Sequence, residues 1–272
     1  MQLNFIKFVI KCNTKKIKKY CKGKKKMLIT KLFLLSLITI PYFAKSQTAY
    51  EIVKKAENAI KGETSVGTFV MNIKTPDYER SLAMKAWWVG TEKSLIVITS
   101  PPKEAGNKTL KIGNEIWSYL KNTETTIKIP PSMMLSSWNG SDYTNDDLAR
   151  ESKLVRDYNL KLMFEEKISG EMCWKIELTP KTNAPVVWGK LYYWVRKKDF
   201  LPTLVQYYNE KDKLQRTMKF SDFKMMGGRK IPCRMLLINN RKKGYQTELI
   251  YKDVKFNVKI KSKIFSFREL EK

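Results

Sequence analysis

The chain predicts a mainly β fold: one long antiparallel sheet of about 11–12 strands that must curl or close on itself. Three observations lead there. From Val66 onward, apolar and polar residues alternate with a period of two over runs of about five to ten residues. Turn signals separate the runs, among them Ser169-Gly170, Gly227-Gly228, Asn239-Asn240 and Gly244. No β-α-β alternation occurs, so neighbouring strands join as hairpins.

The first segment stands apart from this pattern. Residues Met1–Ser46 hold 12 lysines and no acidic residue. An apolar run, LFLLSLITI at residues 32–40, precedes Pro41 and FAKSQ. A basic start, an apolar stretch of roughly 7–15 residues and small residues at −3 and −1 define a secretory signal peptide. Ala44 and Ser46 fill those two positions, which predicts cleavage between Ser46 and Gln47 and an exported, soluble product. Residues 1–46 are thus expected to be leader, with Met27 an alternative start, and residues 47–272 one domain. The competing reading is an uncleaved anchor, but the apolar run is shorter than the ~20 residues that span a bilayer. No cysteine follows at a lipidation position.

TAYEIVKKAENAIKGE, residues 48–63, puts Ile52, Val53, Ala56, Ala59 and Ile60 on one face of a helix that ends near Gly62. Then the period changes. GTFVMNIK points Phe69, Met71 and Ile73 one way, and RSLAMKAWWVG does the same with Leu82, Met84, Ala86 and Trp88. SLIVIT, KTLKI, EIWSYL and TTIKIP follow, and after an interruption come YNLKLMFEEKI, EMCWKIELTP, VVWGKLYYWVRK, LPTLVQYYNE, LQRTMKFSDFK, KIPCRMLLIN and YQTELIYKDVKF. With so little helix to cover the sheet, either its faces meet in a filled barrel or a concave face holds an apolar cavity. Cys173 and Cys233 lie in strand contexts and read either as a disulfide, which an oxidising compartment permits, or as small core residues.

The chemistry that is missing narrows function. The chain has no histidine, which removes the commonest general base, the usual triads and most zinc sites. Phosphate-binding and nucleophile-elbow motifs are absent as well. Asp146-Asp147 and Glu165-Glu166 could suggest acid–base work, yet the first pair fits the opening turn of a short helix, where the dipole favours anions. No enzyme, cofactor or metal is expected. Beyond the leader a net charge of about +15 remains, which suits an anionic membrane surface better than nucleic acid in an exported protein.

The interruption, IPPSMMLSSWNGSDYTNDDLARES at residues 129–152, carries the functional signal. Pro130-Pro131 stops a strand. Met133, Met134, Leu135 and Trp138 follow on a loop that Asn139-Gly140 can turn back. Thr144 then fits a helix N-cap, with Asp147 three residues on as its capping-box acid. Methionine adapts to irregular apolar partners, so the segment reads as a mobile apolar lid; a permanent plug is the alternative.

The same run, with LKIGNEIWSYL before it and GGRKIPCRM and TELIYKDVKFN after it, resembles the outer membrane lipoprotein-sorting proteins, related to the carriers LolA and LolB. Pro101, Gly106, Leu110, Trp117, Tyr119 and Leu120 are similar to that family's pattern before the lid, and IFSFREL to its close. The resemblance implies a strongly curved antiparallel half-barrel whose helices and loop cover a concave apolar cavity for acyl chains. It also implies a periplasmic location, no cofactor, and partners that include lipoprotein acyl chains or lipid, an inner-membrane exporter and an outer-membrane acceptor. In the carriers an arginine near the cavity mouth helps control the lid; here that stretch, NIKTPDYERS, offers Lys74 and Arg80. The expected lipid contacts are Met71, Met84, Trp88, Met133, Met134, Leu135 and Trp138, with Thr144 and Asp147 capping the lid helix. A non-transporting lipid sensor or accessory subunit of a membrane complex is the alternative function.

Overall fold

A computed structural model describes residues 47–149 and 154–272. The leader and its cleavage after Ser46 lie outside the described residues. Thr48 opens helix α1 (Ala49–Ile60) with a reciprocal capping box, its side chain accepting from Glu51 N–H while Glu51 accepts from Thr48 N–H. Ala49, Ile52, Val53 and Ala56 form its buried face.

Six strands follow as successive hairpins: β1 (Thr64–Lys74), β2 (Glu79–Val89), β3 (Lys93–Ser100), β4 (Lys108–Ile112), β5 (Glu115–Leu120) and β6 (Thr125–Lys128). Two short helices, α2 (Asn145–Ala149) and α3 (Leu154–Asp157), lie in the connection to the second run of strands. That run comprises β7 (Tyr158–Ile168), β8 (Glu171–Pro180), β9 (Lys190–Arg196), β10 (Pro202–Tyr208), β11 (Leu214–Met226), β12 (Arg229–Asn239) and β13 (Gln246–Phe256), and α4 (Phe267–Glu271) ends the chain. The expected VVWGKLYYWVRK strand begins only at Lys190, and at Gly189 a Cβ would sit 2.7 Å from the Asn209 carbonyl. Among the described residues the strands number 13 rather than 11–12, all antiparallel in one open sheet ordered β6-β5-β4-β3-β2-β1-β13-β12-β11-β10-β9-β8-β7.

This order makes β6 and β7, consecutive in the chain, the opposite edges of the sheet. Their connection must therefore cross from one edge to the other, and it does so over the concave face. Register shifts at Thr68/Phe69, Ala83/Met84 and Leu162/Glu165 mark bulges, which bend strands and sharpen their twist. The result is a half-barrel, not a closed one.

Two apolar layers cover the concave side. Under α1, Ile52, Val53 and Ala56 pack with Trp174, Ile176, Leu178, Leu191, Tyr193 and Val195. Burying Ile52 and Val53 alone contributes up to about 3–6 kcal/mol. Under the connection, Phe69, Met71, Ile73, Leu82, Met84, Ala86, Ile96 and Ile98 pack with Trp138. On the convex side, Phe265 and Leu270 cover Leu95, Leu110 and Tyr119. Cys173 and Cys233 are free and buried, so the small-core alternative is the one found. Burial pushes both thiols up.

Candidate functional site

The β6–β7 connection begins with a 3-10 turn at Pro131–Met133 and then folds back at Asn139 and Gly140, both at positive φ (50° and 71°). An asparagine followed by glycine tolerates that backbone where a branched residue would not. Trp138 N–H donates to the Tyr143 carbonyl, 2.8 Å, and closes the loop. The Trp138 indole is 6% exposed and donates to Thr109 Oγ1, 3.1 Å, which seats it on the sheet. Thr144 and Asp147 cap α2 reciprocally: Thr144 N–H donates to Asp147 Oδ2 (2.8 Å), and Asp147 N–H to Thr144 Oγ1 (3.2 Å).

Asp147 also reaches the sheet. Arg216 on β11 grips it through two bonds, Nη1 to Oδ2 at 2.7 Å and Nη2 to Oδ1 at 2.8 Å, and Nη1 donates to the Asp142 carbonyl as well. The guanidinium stacks 4.4 Å from the Trp188 ring and 5.0 Å from Tyr207. Burial opposes the charge on Asp147, but Arg216 outweighs it and holds the carboxyl below the usual aspartate value. The Arg216 guanidinium is likewise opposed by burial, and its pairing with Asp147 leaves it more basic than usual. Burial pushes the neighbouring Tyr207 hydroxyl up to about 12. A second clamp lies beside the first: Thr247 and Asn239 donate to the two oxygens of Asp142, and Asp142 N–H donates to Thr247 Oγ1. Arg80 ties the loop tip, bonding the Asn139 carbonyl at 3.2 Å and Glu104 at 2.9 Å.

Beneath this strapped segment lies an apolar cavity of about 300 Å³. Phe69, Trp88 and Ile96 line one side, Trp138, Tyr143 and Leu148 the roof, and Met218, Phe220, Met235, Leu249 and Tyr251 the far side. A second hollow of about 220 Å³ shares Tyr143, Asp147 and Met218 as walls and extends past Tyr158, Trp188 and Tyr207. The first volume stands at the lower end of small-molecule sites and the second falls below it.

The residues singled out by sequence divide four ways. Trp88 and Trp138 line the cavity. Met71 and Met84, 0% and 1% exposed, belong to the layer that Trp138 covers but not to the cavity wall. Met134 is buried elsewhere, against Ile116 and Ala149. Met133 and Leu135 turn outward, 47% and 63% exposed, because the 3-10 turn sends successive side chains in different directions. Strand alternation had placed β1 and β2 well; an irregular loop has no such period. Arg216 and Met218 were missed, although LQRTMKF carried a signal: Arg216 falls in phase with Leu214, Met218 and Phe220, a charge on the apolar side of a strand.

Known structures share this architecture. A DUF1329 family protein from Desulfovibrio piger matches with a TM-score of 0.74 at 24% identity, over 82% of this chain and 97% of its own. An outer membrane lipoprotein-sorting protein domain from Vibrio parahaemolyticus matches at 0.72 and 21%, over 83% and 100%. A LolA superfamily protein from Nitrosomonas europaea gives 0.68 at 26% identity, over 82% and 100%. A family model described as "-like: Uncharacterized protein" spans residues 90–272. The chain belongs to the family of that model, and its fold is the LolA-like one of these structures. No curated protein matches it in sequence. The open half-barrel is the fold these structures share. Among the described residues no helix is long and apolar enough to cross a membrane.

Proposed function

We propose that this LolA-like protein is exported, loses residues 1–46, and binds lipoprotein acyl chains or lipid in the cavity under the strapped connection, as a participant in outer membrane lipoprotein sorting. The observation that carries the reading is the apolar hollow between Trp88, Trp138 and Met218, roofed by a segment held largely through polar clamps. Polar clamps can be exchanged for water when the segment lifts, which lowers the net cost of opening. A chain of about 16 carbons, at ~0.8 kcal/mol per buried CH₂, offers up to roughly 12 kcal/mol before ordering costs. The closed cavity accepts part of such a chain; the rest requires the Trp138 segment to move. In this reading Trp88 and Trp138 are the primary contacts, while Met71 and Met84 back the wall.

The test is mass spectrometry of lipid extracted from the full chain after export and purification. Acyl lipid at about one molecule per protein is the expected result. A lipid-free protein that also ignores added acyl probes would overturn the proposal and make the connection a permanent plug. Transfer of bound lipoprotein to acceptor membranes then separates a carrier from a sensor.

A further inference from the structure

A third hollow, about 540 Å³, opens on the outer side of the same segment. Its wall differs in kind from the apolar cavity. Arg216, Arg241 and Lys242 supply three cations against one carboxylate, Asp142, whose two oxygens are already taken by Thr247 and Asn239. Asp147 stands behind Arg216 and neutralises it in part. Arg241 and Lys242, by contrast, form no salt bridge among the described residues. They sit on the β12–β13 turn, which Asn239 holds in place by accepting from both of their backbone N–H groups, each at 3.1 Å. Arg216 Nε is buried without a hydrogen-bond partner, one donor left over. Gln215, Ser137, Thr144 and Tyr245 add neutral polar groups.

The three hollows are arranged in series. Arg216 and Trp188 form walls of both the basic hollow and the aromatic one, and Tyr143 lines all three. Tyr143 therefore stands between the charged mouth and the apolar interior, and its hydroxyl donates to the Met218 sulfur at 3.6 Å. That sequence of environments matches an amphiphile with an anionic head. We propose that the basic hollow is a headgroup site for a phosphate-bearing lipid, with Arg241, Lys242 and Arg216 as ligands of the phosphate and Tyr143 as the gate between head and chain. Arginine suits this role because its planar donors fit phosphate oxygens. The inference rests on the lipid-binding reading above and adds the class of lipid.

The test compares two probes with the same chain, palmitoyl-lysophosphatidylglycerol and monopalmitoylglycerol, titrated into the delipidated full chain below their micelle concentrations and followed by tryptophan emission. The anionic probe should bind about tenfold tighter or more, the value of one charged hydrogen bond. The double variant Arg241→Ala/Lys242→Ala, at two exposed positions, should keep its thermal midpoint and its affinity for the neutral probe while losing that preference. Equal binding of both probes by the unaltered protein, or a preference that survives the double variant, would overturn the headgroup site and leave the lipid cavity standing. Inorganic phosphate binding as tightly as the anionic probe would make this a free-phosphate site and overturn the amphiphile. Failure of both probes to bind would sink the lipid-binding reading itself.

Discussion

The two covers on the concave face are built on opposite principles. Helix α1 lays four small and branched apolar side chains against β7, β9 and β12, in one packed cluster with Ile176, Leu178, Tyr193 and Leu237. The β6–β7 connection lays Trp138 on β1–β3, with Tyr143 and Leu148 half-buried beside it, and leaves a cavity of about 300 Å³ under them. It is held instead by Asp147 on Arg216, Asp142 on Thr247 and Asn239, and Arg80 on Asn139. A regular helix repeats its apolar positions every turn and can match a sheet continuously; an irregular loop cannot, so it is anchored at points. The lesson is that one cover is continuous packed core and the other is anchored at points.

The sharpest way to break this comparison is to cut the main strap. Arg216→Ala strands the Asp147 carboxylate in the interior and should cost about 3–5 kcal/mol. The cost should be local: hydrogen exchange should accelerate at the amides of Tyr143 and Asp147 before those of α1. Uniform acceleration would mean that the two covers open as one. Ile52→Ala, beneath α1, should cost about 2–4 kcal/mol by leaving a cavity in packed core. It should lower the urea midpoint of the whole sheet and leave lipid binding unchanged in the surviving folded protein.

Acid offers a milder cut. Because the folded Asp147 titrates below its unfolded value, its contribution is complete above an unfolded pKa of about 3.9 and is lost as pH falls through the lower folded value. Between pH 5 and 3 the unaltered protein should lose more stability than Asp147→Asn, read as urea midpoints. Parallel loss in both would detach the strap from lid stability. The smallest effect is expected at Leu135→Ser, where a 63% exposed side chain should shift stability by no more than about 0.5 kcal/mol. A larger drop would show that the outward part of the connection packs as the inward part does.

Much of the fold was legible in the residues. The period of 3.6 at Ile52, Val53 and Ala56 and the period of two at Phe69, Met71, Ile73, Leu82 and Met84 place each side chain on its face, since helix and strand geometry repeat regularly. The Thr144–Asp147 cap was legible too, because capping is settled by neighbours three residues apart. Met133 and Leu135 were not, as their loop has no repeat from which direction can be read.

What the sequence determined by itself is therefore local: which segments are strand or helix, which of their faces is apolar, and where a flexible connection interrupts them. What only the tertiary structure decided is long-range. The pairing of β1 with β13 sends β6 and β7 to opposite edges and forces their connection across the concave face. It also brings Asp147 within 2.7 Å of Arg216, 69 residues away. Contacts at such separations depend on strand order, and no periodicity within one strand encodes which strand will be its neighbour.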